Sequence, residues 1–295
     1  MTNNKITIIV PIYADWPSIQ DCIAALKKYS GTVVAKIMLV NDCGPEVDLI
    51  EKNIKQSIKD DDRFEYFRNA KNLGFVSNCN NAVYRLDKTD NDVMLLNCDT
   101  KVTDGFAEEL MSVLQSSKKI GAVSPRSNNA TICTLPLSAI KQKGIDPKKS
   151  YELFQKYKAK FPRYNQVPTA HGFCILIRRE LIKKYGLFDP AFGQGYGEEV
   201  DFCQRIIERG WISVLSNRSY VFHLEAKSFS LETKQKLLEQ HNKIIQSRYP
   251  SYKKNVDDYI KNALSYESKI FGALTDKKIN QKLKTTIRKL FKRSS

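Results

Sequence analysis

The sequence predicts an α/β fold, in which a largely parallel sheet is covered on both faces by helices and followed by a helical C-terminal region. Three observations predict it. Apolar strand-like runs alternate with helix-period runs at the spacing of βαβ units through the first part of the chain. The stretch Asp92-Val93-Met94-Leu95-Leu96-Asn97-Cys98-Asp99 is a continuous apolar run with a polar exit, the pattern of a buried parallel strand that ends at a site. From residue 231 onward the periodicity is purely helical.

Taken in order, residues 6–10 form a short β-rich run closed by Pro11-Ile12-Tyr13. Pro17 sits where a helical first turn accepts it, and Ile19, Ile23 and Leu26 continue at helical spacing. Residues 33–40 read as the second strand, exiting into Asn41-Asp42-Cys43-Gly44-Pro45. A helix over 47–58 and a short strand over 64–67 follow. Asn69-Ala70-Lys71-Asn72-Leu73-Gly74-Phe75 then opens a helix through residue 86, ahead of the central strand at 93–96. Asp104 reads as the cap of a helix over 106–114, and residues 120–123 as another buried strand. Residues 124–139 are polar and turn-rich, and a basic helical stretch covers 147–160. Long excursions of this kind commonly carry substrate contacts. His171-Gly172-Phe173 leads into a strand through Ile177, and a helix starts at Arg178-Arg179. Gly193-Gln194-Gly195-Tyr196-Gly197 reads as a mobile loop before a helix that begins Glu198-Glu199-Val200-Asp201. Two short strands, 211–215 and 220–222, precede His223, and helices are expected over 231–249, 252–271 and from 277 onward.

The 295 residues suffice for one large domain or two, and the formal net charge of +16 points to acidic partners such as phosphates or an anionic membrane surface. Eight basic residues and no acidic ones lie between Lys277 and the end, so about half of the excess is in the tail. Its apolar residues Ile279, Leu283, Ile287, Leu290 and Phe291 share one helical face, the pattern of a membrane-surface helix. The seven cysteines are scattered without a CxxC pair, which favours buried reduced thiols over disulfides or zinc. There is no signal-peptide pattern and no apolar run near the roughly 20 residues that span a bilayer. The expectation is a cytoplasmic protein, peripheral at the inner face of the plasma membrane if the tail binds lipid.

Several residues carry candidate chemistry. Asn97 and Asp99 alternate beyond a strand end, so both can point to one side. A carboxylate with a neutral oxygen suits a hard divalent cation that keeps positions for water and phosphate. His223, also just past a strand, offers a third metal ligand. Asp42 lies past the end of the second strand, where an acid can accept from a ribose or a base edge. Glu198, Glu199 and Asp201 crowd a helix start beside a glycine loop. They are candidates for a carboxylate base, and Asp201 is also placed to pair with Arg205.

These pieces, in this order, resemble the inverting family 2 glycosyltransferases, of the bacterial surface-polysaccharide or rhamnosyltransferase type. The resemblance runs from about residue 6 to 229. It rests on Ile9-Val10-Pro11-Ile12-Tyr13, Val40-Asn41-Asp42, Asn69-x-x-Asn72-x-Gly74-Phe75, Leu96-Asn97-Cys98-Asp99, Gly172-Phe173-Cys174, Phe188-Asp189, Gly197-Glu198-Glu199-Val200-Asp201-Phe202, and His223 before Ser228-Phe229.

It implies a GT-A fold, a Rossmann-like nucleotide-binding mixed sheet flanked by helices, over 1–229. Within it a nucleotide-sugar half covers about 1–100 and an acceptor half about 101–229, and 230–295 is a helical extension. It implies a donor site from Pro11, Tyr13, Asp15, Asp42, Asn72, Gly74, Asn97 and Asp99. Mn²⁺ or Mg²⁺ would sit on Asp99, His223 and Asn97, the last standing where many relatives carry the first Asp of a DxD motif. Glu199 aligns with the usual base, with Glu198 or Asp201 as substitutes or orienting groups. His171, Gly172, Phe173, Tyr196 and Gly197 would face the acceptor.

The activity implied is metal-dependent transfer of a hexosyl or deoxyhexosyl unit, with inversion, from a UDP- or dTDP-linked donor to a hydroxyl of a saccharide or lipid-linked saccharide. The C-terminal helices offer a surface for pairing two copies. An inactive scaffold of the same fold, or a basic protein binding nucleic acid or membrane, is the alternative. The chain shows no helix-turn-helix, zinc or RNP signature, and nucleic acid is not expected as a partner. It also lacks a GxGxxG after the first strand, a GxxxxGK[ST], and the glycine-rich first loop of sugar nucleotidyltransferases.

Overall fold

The computed structural model describes residues 5–142, 145–224 and 231–271. The basic tail from Lys277 and the Ser228-Phe229 pair lie outside the described residues.

Strand β1 (Ile6–Ile12) is followed by α1 (Trp16–Tyr29), β2 (Val34–Asn41), α2 (Val47–Ile58), β3 (Phe64–Arg68) and α3 (Phe75–Asn81), which ends in a wide turn over Ala82–Leu86. Next come β4 (Asp92–Leu96), β5 (Thr100–Val102), α4 (Phe106–Gln115), β6 (Ile120–Arg126), α5 (Pro147–Tyr157), β7 (Tyr164–Val167) and β8 (Cys174–Ile177). The described chain closes with α6 (Arg179–Tyr185), α7 (Glu198–Ile207), β9 (Ile212–His223), α8 (Leu231–Arg248) and α9 (Tyr252–Phe271).

Among the described residues the strands form one sheet in the order β3-β2-β1-β4-β8-β6-β9-β5, with β7 paired to β9. β1, β2, β3 and β4 are mutually parallel. β8 runs antiparallel to both β4 and β6, and β5 and β7 run antiparallel to β9. The sheet is therefore mixed. The order reverses at β1/β4, where the chain steps outward to β2 on one side and to β4 on the other. Crevices at such switch points, beyond the carboxyl ends of the strands, are where ligands bind in open α/β sheets.

The helices form for reasons visible in their sequences. In α1, Pro17 occupies the first turn and Ile19, Cys22, Ile23 and Leu26 are buried at helical spacing. In α2 the buried stripe is Ile50, Ile54 and Ile58. Two apolar layers result. One face of the sheet packs Ile8, Leu39, Met94 and Leu176 against α1, α2 and α4. The other packs Ile9, Met38, Leu95 and Ile175 against α3, α6 and α7. Burying each such side chain contributes about 1.5–3 kcal/mol. Helices α8 and α9 add Ile245 and Tyr249 to the second layer, Val256, Tyr259 and Ile260 to the first, and Phe271 to a smaller aromatic cluster with Phe154 and Tyr220.

Asp104 does not cap α4. The capping position is Gly105, in left-handed backbone and with no side-chain hydrogen bond. The two strands expected at 211–215 and 220–222 are one strand, β9, with a register shift between Pro125, paired with Ser216, and Arg126, paired with Tyr220. All seven cysteines are free thiols, five of them buried.

Candidate active site

The carboxyl ends of β1, β2, β3 and β4 share one rim, and the candidate donor residues lie on it. Pro11 is the last-but-one residue of β1, paired with Val40. Tyr13 is 37% exposed. Asp15 is exposed, has a φ of 71° and accepts a 2.6 Å hydrogen bond from Ser18 Oγ. The loop after β2 passes so close to the loop after β1 that a β-carbon on Gly44 would lie 1.8 Å from the Tyr13 carbonyl oxygen. Glycine is required there by contact, not by dihedral.

Asp42 is 4% exposed and already engaged. Its Oδ1 accepts from Asn69 Nδ2 (2.8 Å) and the Leu73 N–H (2.9 Å), and its Oδ2 from the Gly74 N–H (2.9 Å). Burial pushes its carboxyl up, and these three donors pull it back. In this structure Asp42 therefore shapes the Asn69–Gly74 loop. Asn72 also serves that loop, its Oδ1 accepting from Gly74 N at 2.8 Å. Asn69 Nδ2 reaches Asn78 and Asn69 Oδ1 accepts from Asn81, so the loop is braced from α3. Asn78 and Asn81 were not among the sequence candidates. The run of Asn between 78 and 81 was the available signal.

At the end of β4, the Asn97 N–H donates to the Phe173 carbonyl (2.9 Å) and the Asn97 carbonyl accepts from Thr100 Oγ1 (2.7 Å). Asp99 follows and is 8% exposed. Antiparallel pairing of β5 with β9 sets Thr100 opposite His223, which brings Asp99 and His223 together. His223 Nε2 lies 3.5 Å from Asp99 Oδ1. The imidazole is oriented from behind. Nδ1 is 2.6 Å from the Asn129 carbonyl, Asn128 holds both the N–H and the carbonyl of His223, and the ring stacks on Phe173 at 5.3 Å. A carbonyl only accepts, so Nδ1 carries the proton in the neutral ring and Nε2 is the basic nitrogen. This is the backing that orients a metal-ligating histidine.

An imidazole nitrogen and a carboxylate oxygen at this separation fit two ligands of one divalent cation. Among the described residues no cluster of three or more His, Cys, Asp or Glu gathers to hold a metal. The remaining positions on such an ion would belong to phosphate oxygens and water, as is usual for hard cations at phosphate sites. Asn128 and Asn129, which position His223, were read in the sequence only as part of a polar, turn-rich excursion.

The turn His171-Gly172-Phe173 joins this pair to the acidic cluster. His171 N–H donates to Ser124 Oγ at 2.8 Å, and its ring packs edge-on to Phe173. Burial and the neighbouring His223 push its pKa down to about 3, so it stays neutral. Gly172 faces the start of α7: a β-carbon on it would lie 3.5 Å from Glu199 Cδ and 3.6 Å from Glu198 Oε1.

Glu198 is 4% exposed, and its buried Oε2 has no hydrogen-bond partner among the described residues. Burial first, and the Glu199 carboxyl second, push Glu198 well above the usual carboxylate range. Burial also raises Glu199, but the N–H groups of Gly197, Val200 and Gly172 draw it back toward the carboxylate form. Burial thus raises both adjacent carboxyls, Glu198 the more strongly, while the N–H groups at the helix start temper the rise of Glu199.

Asp201 does not join them. It is fully buried and accepts from Arg205 Nε (2.8 Å), Arg248 Nη1 (2.7 Å) and Tyr249 Oη (3.0 Å). Its carboxylate makes the expected pair with Arg205 and ties α8 to α7, so in this structure it is engaged in packing contacts. The glycine loop ahead of α7 is also pinned. Gly193 O accepts from Val76 N–H (3.1 Å), and Tyr196 O is 2.9 Å from His241 Nδ1. Gly193, Gly195, Tyr196 and Gly197 all have positive φ, so the glycines serve left-handed backbone here and not mobility. The Tyr196 ring faces Lys234 on α8.

Residues 7–186 match the family model described as glycosyl transferase family 2. A search of the curated proteins returns no match. Among solved structures, the chain is similar to a mannosyltransferase from Pyrobaculum calidifontis in complex with GDP-Man and Mn²⁺. The TM-score is 0.59 at 14% identity, covering 91% of this chain and 74% of that one. It is also similar to GalNAc-T7 with UDP, GalNAc and Mn²⁺, with a TM-score of 0.59 at 15% identity, covering 86% of this chain and 55% of that one. At these identities the likeness is one of fold, and that fold is GT-A.

Proposed function

Since the chain belongs to glycosyl transferase family 2 and is a glycosyltransferase, we propose that it transfers a sugar, with inversion, from a nucleoside-diphosphate sugar to an acceptor hydroxyl. The observation that carries this reading is the turn at Gly172-Phe173. Phe173 stacks on His223 of the Asp99/His223 pair, and Gly172 abuts Glu198 and Glu199. Leaving group and nucleophile would therefore be handled on either side of a single peptide segment.

The nucleotide lies over the strand ends of β1, β2 and β4, between the Tyr13–Asp15 loop and the Asn69–Gly74 loop that Asp42 holds. Asp99 and His223, with Asn97 beside them, would hold a divalent cation; an imidazole in the set would favour Mn²⁺. Such an ion supplies Lewis-acid neutralisation of the departing diphosphate. The solved structures that this chain resembles contain Mn²⁺ with GDP-Man or UDP, which supports a metal and a nucleotide-sugar donor.

Glu199 takes the proton of the acceptor hydroxyl as its oxygen bonds to the anomeric carbon. The bond from that carbon to the β-phosphate oxygen breaks, and the nucleoside diphosphate leaves with the electron pair. Glu198, whose carboxyl burial raises more strongly than that of Glu199, is the weaker candidate for the carboxylate base at neutral pH. Positioned general-base catalysis of this kind contributes typically 10²–10⁴-fold.

A saccharide acceptor, free or lipid-linked and destined for a surface glycan, suits an enzyme whose basic tail carries the signature of a membrane-surface helix. Among the described residues no helix is long and apolar enough to cross a membrane.

The test uses the slow hydrolysis of donor by water. Proton NMR of UDP-, dTDP- and GDP-sugars with Mn²⁺ and enzyme should show one donor releasing its sugar first as the anomer opposite to that of the donor. Release first as the same anomer contradicts the single displacement.

A further inference from the structure

We propose that the edge of α9 is a saccharide-binding track, and that the acceptor is an extended glycan of several sugar units with its distal units held in the cleft beside Tyr259 and Tyr266. This rests on the reading of the chain as a glycosyltransferase and names the class of its acceptor.

The track begins at the catalytic acids. Tyr252 opens α9 and packs among Val200 and the apolar layer under α7. Burial, and next the Glu199 charge, raise its phenol, which places the ring within electrostatic reach of the proposed base. Tyr259 and Tyr266 follow at intervals of seven residues. Seven residues are nearly two helical turns, with a drift of about 20°, so the three rings fall on one line with a rise of about 10 Å between neighbours.

This line is not the centre of the buried stripe. Leu264, Glu267 and Phe271 fill that centre at 3–5% exposure, whereas Tyr252 and Tyr259 are half-buried and Tyr266 is 42% exposed. The tyrosines therefore border the seam where α9 meets the domain, on the side that carries the exposed Asn262.

At its far end the seam opens into a cleft of about 300 Å³ lined by Tyr259, Tyr266, Phe161, Asn165, Gln166 and Asn262, among others. That is the lower end of the range for small-ligand sites. The cleft floor is the buried Arg126–Glu267 ion pair (3.2 Å), with the guanidinium 5.3 Å over the Phe161 ring. Aromatic faces suit the C–H faces of a pyranose, and amide side chains both donate to and accept from its hydroxyls. Among the described residues the one cation lining the cleft is Arg126, which is ion-paired with Glu267. A neutral polyhydroxylated ligand fits this lining better than a phosphate or an apolar chain.

The cleft is also joined to the reaction centre through β6. Arg126 lies two residues before Asn128, whose side chain holds the backbone of His223. The cleft floor and the metal-ligating pair are thus fixed by one short segment, and a glycan bridging them would be read at both ends.

The test uses full-length protein and a panel of linear gluco-, manno-, chito- and rhamno-oligosaccharides of two and six units, with binding read by ligand-observed NMR and calorimetry. At least one hexasaccharide should bind tenfold or more tightly than its disaccharide. Tyr266→Ala and Asn262→Ala, both at exposed positions, should each weaken that hexasaccharide about tenfold while the disaccharide affinity and the thermal melting curve stay unchanged. Equal affinity for two and six units, no binding by any hexasaccharide, or indifference to both substitutions would overturn the track. Stabilisation by nucleotide and Mn²⁺ reads the donor site separately. Its loss with the glycan results intact would count against the glycosyl-transfer reading and not against the track.

Discussion

His223 Nε2 stands 3.5 Å from Asp99 Oδ1 while its Nδ1 is 2.6 Å from the Asn129 carbonyl. One ring nitrogen is thus committed to the protein and the basic one faces the carboxylate. The pairing of Thr100 with His223 creates this relationship between residues 124 positions apart in the chain. The rest of the account extends from it, through the Phe173 ring, to Gly172 and the acids at the start of α7.

Glu199→Gln keeps the shape of the side chain and removes the base. Glycosyl transfer should fall by 10²–10⁴ in kcat with little change in KM for the donor, because the proposed nucleotide contacts lie on the other side of Gly172. Steady-state kinetics check this. A kcat within threefold of wild type would move the base elsewhere.

Glu198 and Glu199 are both held above the ordinary carboxylate range by burial. Stability tied to such groups is fully present below the unfolded glutamate value of about 4.3 and is lost as pH rises through the folded values. Metal-free protein should therefore lose thermal stability between mildly acidic and mildly alkaline pH. Glu198→Gln should flatten that decline, raising Tm by a few degrees at pH 8 and leaving it unchanged at pH 5. Melting curves at the two pH values decide it, and a Glu198→Gln protein less stable than wild type at pH 8 would show that the Glu198 carboxylate is satisfied.

Asp201→Ala separates a structural acid from a catalytic one. Removing a buried carboxylate that neutralises Arg205 and Arg248 should destabilise the fold by about 3 kcal/mol and loosen α8. At a temperature where the variant is folded, kcat should remain near wild type. Denaturant unfolding combined with kinetics tests both halves. A stable but inactive variant would return Asp201 to the reaction.

The nucleotide-binding half was legible in the sequence because β2 and β4 carry buried, unbroken apolar runs, residues 37–40 and 93–96, each followed by an asparagine. The same feature hid the direction of β8. Cys174–Ile177 is equally apolar read either way, so the spacing of strands and helices alone pointed to a parallel sheet; the mixed sheet came from the family resemblance, and β8 is indeed antiparallel to β4. β5 and β7 span only three and four residues and carry no periodicity. β9 looked like two strands because Ser216-Asn217-Arg218-Ser219 breaks its hydropathy. In the fold Asn217 spends its side chain on the Pro162 carbonyl, Asn165 and Arg126.

At the site, sequence order found Asp99, His223, Gly172 and Glu199, and the structure brings them together. The engagement of Asp42 with the Leu73 N–H, of Asp201 with Arg248 and of Tyr196 with His241 joins residues 31, 47 and 45 positions apart, which no local pattern announces.

The most direct measurement is a thermal-shift panel of UDP, dTDP and GDP, each with and without Mn²⁺, on wild type and Asp99→Ala. A ligand at 100 times its Kd adds about 2.7 kcal/mol, a rise of several degrees. The account predicts that one nucleotide stabilises wild type only when Mn²⁺ is present and that Asp99→Ala abolishes the shift. Equal stabilisation with and without Mn²⁺, or a full shift in Asp99→Ala, would contradict a nucleotide site built on Asp99 and His223.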